Sequence, residues 1–396
     1  MPSSRPLRRG ILIALIAAAV SGLLAGLHYY IARRLVLDPG LPGPWRDGLL
    51  AAIAVLALSL VAQPFGERLL RPPLSRVVSW PASLWMGFAF LTVLLLAATD
   101  ALLWIGGSAA FAAPEVFAPA ERVASLRAAG VCSVALVAGG IGLRAALRPP
   151  AIRRVEIRLE RWPAVLDGFR IVQLSDVHLG PILGRAFASQ LVARSNALAP
   201  DLVAVTGDLV DGGVKQLAGE VAPLAGLRAR HGIFFVTGNH DHYSGARSWT
   251  EKVRELGFQP LRNERIEIRD GDACFDLVGV DDHHGSHFAN DGGEDLEAAL
   301  AGRDRERPAI LLAHDPSTFK RASGMGIDLQ ISGHTHGGQI WPFGHLVRLA
   351  IPFVAGRFEC QGAQLYVSRG TGFWGPPMRL RAPAEITEIV VRRATG

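Results

Sequence analysis

The chain has 396 residues, of which 49% are hydrophobic and only 19% are charged. With a mean hydropathy of +0.26, this composition excludes an ordinary soluble globular protein of this length. The formal net charge of +6 does not indicate a nucleic-acid partner, because the surplus is mostly arginine beside apolar stretches, where it would meet anionic lipid headgroups.

Four long apolar stretches lie before residue 150, at residues 11–32, 49–63, 82–105 and 129–147. A helix that crosses a bilayer needs about 20 mainly apolar residues. The first and third stretches meet this length, and the second and fourth are shorter or richer in Gly and Ala but lack internal charges. We therefore predict a transmembrane region of four helices over residues 1–148, in which Asp100 takes a solvated position near the end of the third.

Arginine placement predicts the orientation of these helices. Ten arginines lie in segments on the same side of the membrane as the N-terminus, and five lie in segments on the opposite side. The excess favours a cytoplasmic N-terminus under the positive-inside rule, although Arg33 and Arg34 count against it. An even number of spans then leaves the following domain, residues 151–396, in the cytoplasm, in a multi-pass protein of the inner membrane.

The second half of the chain contains five apolar runs that each end at a residue able to bind a metal. The runs cover residues 171–175, 201–206, 233–237, 309–313 and 327–332. Such runs are typical of buried parallel strands, and ligands of open α/β sheets bind beyond the carboxyl ends of such strands. We therefore predict that two Asp, one Asn and four His meet at one edge of one sheet and form one metal site or two.

Alternating apolar and polar residues predict further strands at 155–160, 265–269 and 385–391. Residues 244–257 predict a helix that begins at a Ser and ends at Gly257. Strands on both flanks with helices between them favour two sheets packed face to face with helices outside. The three cysteines are too few and too scattered for a disulfide framework or a thiolate metal site.

The motif set resembles the calcineurin-like metallophosphoesterase family over residues 165–385. The matching segments are Asp176-x-His178, Gly207-Asp208-x-x-Asp211, Gly238-Asn239-His240-Asp241, His314 and Gly333-His334-x-His336. Residues 333–339 and 369–377 look like the membrane-associated branch of that family, one relative in which is a UDP-2,3-diacylglucosamine pyrophosphatase of lipid A synthesis. The resemblance implies a four-layer αββα sandwich, which agrees with the layers predicted from the pattern.

The resemblance also implies a site for two divalent metal ions. Asp176, His178 and His336 would hold one ion. Asn239, His314 and His334 would hold the other, with Asp208 bridging the two. Carboxylate, amide and imidazole ligands without a thiolate suit Mn, Fe, Zn or Mg. A hydroxide that bridges the two ions would then attack the phosphorus.

Several residues outside the ligand set have candidate roles. In the family, His240 would stabilise the phosphate and protonate the leaving oxygen, with Asp241 as its acidic partner. Arg379, Trp341 and Trp374 are candidates for contact with the substrate, although solvated strand positions or core packing explain them equally well. Residues 281–284, Asp-Asp-His-His, could bind a metal, but an exposed loop without such a role is the favoured interpretation.

The leading hypothesis is a membrane-anchored, two-metal phosphohydrolase that cleaves a phosphodiester or pyrophosphate bond in a lipid-linked substrate such as UDP-2,3-diacylglucosamine. The partners would then be the lipid bilayer and a phosphorylated substrate, without nucleic acid. One alternative is a phosphodiesterase for a soluble nucleotide, with the helices only as an anchor. A different class is a non-catalytic membrane scaffold or sensor, which is disfavoured because all ligand positions are present.

Overall fold

The computed structural model describes residues 5–110, 120–288 and 291–394. The chain forms two compact units, one of Met1–Gly66 with Val78–Gly140 and the other of Glu67–Val77 with Ile141–Gly396. The first unit is helical, and the second contains all twelve strands of the described residues.

Four long helices occupy the N-terminal region: α1 (Arg5–Ala32), which continues as a π-helical turn over Arg33–Leu37, α2 (Gly43–Leu69), α3 (Leu74–Ala110) and α4 (Ala120–Ala146). All four are long and apolar enough to cross a membrane. The predicted number of apolar helices is therefore confirmed. The helix α2 extends beyond the predicted 49–63 at both ends. Near its C-terminal end the helix continues through Gln63 and Pro64, and the Gln63 amide donates to Ser83 Oγ at 2.9 Å.

Asp100 lies in an ionic network of the helical unit, with its side chain 26% exposed. Its carboxylate accepts a hydrogen bond from Tyr30 Oη at 2.7 Å and pairs with Arg34 at 3.0 Å and Arg127 at 2.5 Å. Asp100 is thus partly exposed and ion-paired, and its position at the membrane interface stays a prediction. Two arginines balance the charge of Asp100, and the contacts tie together α1 with its π-helical turn, α3 and α4.

The second unit contains two six-stranded sheets. In the first sheet the order is β1-β12-β2-β3-β4-β5, and only the β12–β2 pair is antiparallel. Its strands are β1 (Ala151–Leu159), β2 (Phe169–Leu174), β3 (Leu202–Thr206), β4 (Ile233–Val236), β5 (Gln259–Pro260) and β12 (Glu385–Arg393). In the second sheet the order is β10-β11-β9-β8-β7-β6, with antiparallel pairs at both edges. Its strands are β6 (Glu264–Asp270), β7 (Ala273–Gly279), β8 (Ala309–Leu312), β9 (Leu329–Ser332), β10 (Gly356–Cys360) and β11 (Ala363–Val367).

The two sheets pack face to face, with helices on their outer faces. One core cluster joins apolar residues of both sheets, including Ile171 and Phe234 of the first and Leu277 and Ile331 of the second. A second cluster covers the outer face of the first sheet with α5, α6 and α8, and a third covers the second sheet with α9 and α10. The helices of this unit are α5 (Arg185–Asn196), α6 (Val214–Val221), α7 (Asn239–Tyr243), α8 (Ala246–Glu255), α9 (Leu296–Leu300), α10 (Phe319–Ala322) and α11 (Phe343–Ala350). The predicted αββα sandwich is confirmed.

The strands that lead into the metal-binding motifs belong to both sheets, so the prediction of a single sheet is wrong. The strands β2, β3 and β4 lie in the first sheet, whereas β8 and β9 lie in the second. Their carboxyl ends still meet because the sheets face each other. Gln173 of β2 donates to the carbonyl of Ser332 of β9 at 2.9 Å across the interface between the sheets.

Candidate metal centre

Three of the predicted ligands meet where β2 and β9 end. Asp176, His178 and His336 are all buried. Nε2 of His178 lies 3.0 Å from Nε2 of His336, which lies 3.5 Å from Asp176 Oδ1. One carboxylate and two ring nitrogens therefore converge on one point.

A second group of predicted ligands meets beyond β4, β8 and β9. His334 Nδ1 lies 3.0 Å from Asn239 Oδ1 and 3.2 Å from His314 Nε2. This group supplies one amide oxygen and two imidazoles. It is separate from the first group but connected to it through one further side chain.

That connecting side chain is Asp208, which follows β3. Its Oδ2 lies 3.2 Å from Nε2 of His314 in the second group and 3.7 Å from Nε2 of His178 in the first. Its Oδ1 accepts a hydrogen bond from the backbone N–H of His240 at 2.8 Å, which fixes the orientation of the carboxylate. All seven residues proposed as ligands thus lie together, with Asp208 in the position of a bridge.

Hydrogen bonds fix the tautomers of two of these histidines. Nδ1 of His314 donates to the carbonyl of Thr206 at 2.9 Å, and Nδ1 of His178 lies 3.0 Å from Asp211 Oδ1. With Nδ1 protonated, each ring presents the lone pair of Nε2 to the centre. A neighbouring acceptor of this kind is the usual arrangement behind a histidine that binds a metal.

The residues fit a pair of divalent cations. Among the described residues, no donor reaches Asp176 Oδ2, a buried carboxylate oxygen that is costly to leave without a partner. Burial alone would lower the pKa of His314, but the charge and hydrogen bond of Asp208 outweigh it and raise that pKa well above its usual value. A cation would satisfy the same negative charge and take the lone pairs of the imidazoles.

The backbone at these ligands adopts conformations that residues other than glycine rarely adopt. Five of the seven have positive φ angles of 48° to 71°: Asp176, His178, Asp208, His334 and His336. Each such residue costs on the order of 1–3 kcal/mol, and such residues cluster at functional sites. Glycines permit the close approach of these loops, because a Cβ on Gly238 would overlap Asp208, and one on Gly333 would overlap Ser175 and Asp176.

His240 lies beside the ligand groups, and its acidic partner is Asp211. Nδ1 of His240 is 2.7 Å from Asp211 Oδ1, which His178 also contacts. Burial alone would lower the pKa of His240, but the hydrogen bond to Asp211 and the charges of Asp208, Asp211 and Asp241 raise it to about 9.

The expectation that Asp241 partners His240 is wrong. The Asp241 carboxylate accepts hydrogen bonds from the backbone N–H groups of Gly238 at 2.8 Å and Leu209 at 3.0 Å. It therefore caps the N-terminus of α7 and ties this helix to the loop after β3. Asp211 was part of the recognised motif, but its pairing with His240 depends on how the loops after β3 and β4 meet.

We expect Asp211→Asn to lower kcat and to weaken metal binding, with an effect of about 10–100-fold, as for other residues that orient metal ligands. Since the Asp211 carboxylate raises the pKa of His240, its loss should lower that pKa. A step that needs protonated His240 would then decline at a lower pH than in the wild type. The measurement is the pH profile of kcat at saturating metal, and an unshifted alkaline limb would exclude this role for Asp211.

The three candidate substrate contacts differ in their surroundings. Trp341 and Trp374 are about half exposed, and the Trp374 ring lies 5.9 Å from the ring of His240. Arg379 is only 2% exposed, and its guanidinium donates to the carbonyls of Arg369, Gly372 and Ala382. The structure thus places Arg379 beyond the reach of a substrate and also contradicts the alternative of a solvated strand position.

The loop of residues 281–284 is not simply exposed. Asp281 and Asp282 are buried, and Asp281 accepts hydrogen bonds from Thr237 Oγ1 and from Arg262. Asp282 Oδ1 accepts from Nδ1 of His284 at 2.8 Å. The Asp281 carboxylate therefore ties the segment after β7 to Thr237, the residue after β4, while the His283 side chain is 48% exposed.

Residues 169–338 match the sequence profile of the calcineurin-like phosphoesterase family. A transmembrane protein with metallophosphoesterase domain from Bos taurus is 41% identical over 285 residues, which cover 69% of this chain and 64% of that protein. Its Danio rerio counterpart is 40% identical over 261 residues, covering 64% of this chain and 60% of that protein. An uncharacterized metallophosphoesterase from Aquifex aeolicus is 33% identical over 243 residues, covering 61% of this chain and 91% of that protein.

The chain thus spans less than two thirds of the length of the Bos taurus and Danio rerio proteins, at 64% and 60%. The names of these two relatives and the four apolar helices together support membrane association of this chain.

Proposed function

The chain belongs to the calcineurin-like phosphoesterase family of metal-dependent hydrolases, and from that membership we propose that it cleaves a phosphodiester or pyrophosphate bond of a lipid-linked substrate at the membrane surface. The observation that carries this proposal is the pair of ligand groups joined by Asp208, with His240 and Asp211 beside them. UDP-2,3-diacylglucosamine is the example that we propose.

In this reaction the ligand groups would hold two divalent ions. Asp176, His178 and His336 form one site, Asn239, His314 and His334 the other, and Asp208 the bridge. When bound, two such ions supply positive charge that stabilises the attacking and leaving oxygens of a phosphoryl transfer. Carboxylate, amide and imidazole ligands without a thiolate suit Mn, Fe, Zn or Mg in these sites.

His240 would act on the leaving group. Its Nδ1 is engaged by Asp211, which leaves Nε2 as the ring nitrogen that can donate a proton. With a pKa of about 9 the ring is protonated near neutral pH, so it can also contribute positive charge to the phosphate. A positioned acid of this kind lowers the barrier because the leaving oxygen need not depart as a free anion.

Two features support a lipid-linked substrate over a soluble nucleotide. The partly exposed Trp374 ring lies at 5.9 Å from the ring of His240, so an apolar surface borders the candidate site. Four candidate spans in the same chain would hold the catalytic domain close to the headgroups. A substrate in the same membrane would therefore be present at high effective concentration. By the distribution of arginines, we propose the cytoplasmic side of the inner membrane.

The test compares UDP-2,3-diacylglucosamine with its deacylated analogue in mixed micelles. Each buried methylene contributes about 0.8 kcal/mol, so two in contact with the enzyme should raise kcat/KM by about tenfold. We expect the acylated compound to be hydrolysed at least that much more efficiently. Equal kcat/KM values would contradict the lipid-linked substrate and favour a soluble nucleotide. If neither of these compounds nor any generic diester is hydrolysed, the result would favour a non-catalytic scaffold.

A further inference from the structure

The helix α11 exposes an apolar surface that the hydrolytic reaction does not explain. Four neighbouring side chains, which we call the docking patch, are 51%, 40%, 59% and 84% exposed: Trp341, Phe343, Leu346 and Leu349. No residue of this eight-residue helix is buried. Exposed apolar clusters of this kind mark interaction sites, whereas singly exposed apolar residues do not.

The docking patch is joined by close contacts to the loops of the candidate metal centre. The N-terminal turn of α11 packs against the loop that follows His336, so closely that a Cβ on Gly338 would overlap Gly344. The backbone N–H of Trp341 donates to the carbonyl of Leu380 at 3.1 Å. The patch therefore lies on a surface that is continuous with the loops of the metal ligands.

The same loops are bonded to the end of the last candidate span. The backbone N–H of Arg379 donates to the carbonyl of Gly142, four residues before the end of α4, at 3.0 Å. A Cβ on Gly142 would contact Met378 and Leu380 at 3.3 Å. The segment next to Trp341 thus touches the part of α4 that would emerge from the bilayer.

Exposed basic side chains lie on α11, at the end of α4 and beside Trp341. Arg348 on α11 and Arg144 and Arg148 at the end of α4 are exposed, and the exposed Arg381 places its guanidinium 5.9 Å from the centre of the Trp341 ring. Apolar and aromatic residues bordered by arginine are typical of helices that lie in the membrane interface and contact anionic headgroups.

We infer that the docking patch binds the lipid bilayer itself, with Trp341, Leu346 and Leu349 in the interface beside the end of α4. The occupant is a membrane with anionic headgroups, because the segment bonded to Trp341 also bonds to the end of a candidate span, and Arg381 and Arg348 lie beside the patch residues. Docking would hold the loops of His334 and His336 at headgroup level. This binding of the docking patch to the bilayer does not depend on which phosphoester the site hydrolyses.

The test uses the full chain with its three native cysteines replaced by alanine and a single cysteine spin label at Leu349. The protein is reconstituted in vesicles of phosphatidylethanolamine and phosphatidylglycerol, and collisions with oxygen and with a water-soluble nickel chelate are measured by electron paramagnetic resonance. The matched control is a label at Val165, an exposed apolar residue after β1. The nine residues of β1 separate it by about 30 Å from the segment that follows α4.

We expect the label at Leu349 to collide more with oxygen than with the nickel chelate, and the label at Val165 to show the opposite preference. A Leu349 label as accessible to the nickel chelate as the Val165 label would overturn the inference. A label shielded from both reagents would do the same, since it would indicate a protein partner or a second copy. The measurement needs no substrate, so its failure is distinct from a failure of the proposed reaction.

Discussion

Asp208→Ala is expected to remove both metal ions and nearly all hydrolysis while the protein stays folded and membrane-bound. Asp208 is the side chain between the two ligand groups, 3.2 Å from His314 and 3.7 Å from His178. Its loss removes the shared negative charge that offsets repulsion between the two cations. Activity should fall by more than about 10²–10³-fold, the loss typical of removing one electrostatic stabiliser of a transition state.

The matched control for this variant is Asp201→Ala. Asp201 precedes β3, whereas Asp208 follows it, so the two carboxylates lie at opposite ends of one strand. Asp201 accepts a hydrogen bond from the Arg170 backbone and should affect stability only. Elemental analysis of both purified variants in detergent decides the question. Two metal ions per chain in Asp208→Ala would refute its role as a bridge.

His240→Ala should keep both metal ions but lower kcat by about 10²–10⁴-fold, as expected for the loss of a positioned general acid. The ring contacts Asp211 through Nδ1 and lies outside the two ligand groups that we propose. The loss should shrink with a nitrophenyl ester, because this leaving group departs readily without a proton.

His287→Ala is the matched control, since His287 is exposed and lies outside the centre. Its metal content and kcat should equal those of the wild type. An equal loss of activity of His240→Ala on activated and unactivated esters would mean that His240 acts on the phosphate charge instead. Full activity would exclude it from the mechanism.

Much of the sandwich could be predicted from the sequence because its strands are short apolar runs with a polar residue directly after each one. The runs at residues 201–206 and 309–313 each match their strand, β3 and β8, to within one residue. Their division between two sheets could not be predicted in the same way. Buried strands of both sheets have the same composition, and the pairing depends on contacts between distant segments.

The ligand residues could be predicted from their spacing, but the contacts of their neighbours could not. Asp241 follows His240 directly, yet its carboxylate binds backbone N–H groups at the start of α7. Asp211, 29 residues before His240, is the carboxylate that reaches the ring. Arg379 similarly carries no sequence signal of burial, because only the folded loops bring several carbonyls around its guanidinium.

The helix α11 was not predicted, since eight residues after a Pro provide too short a pattern to distinguish a helix from a loop. Trp341 and Trp374 could be identified as aromatic residues near the motifs, but their exposure could not. The exposure of a ring depends on which neighbours cover it. Both tryptophans are about half exposed, whereas Arg379 is buried.

The most direct test of the two-metal centre is anomalous diffraction from crystals of the full chain grown with Mn²⁺. Two peaks are expected, one among Asp176, His178 and His336 and one among Asn239, His314 and His334, with Asp208 between them. Such ions lie about 3.5–4 Å apart in two-metal hydrolases. A single peak, or a peak at Asp282 and His284 in place of either, would contradict the shared centre.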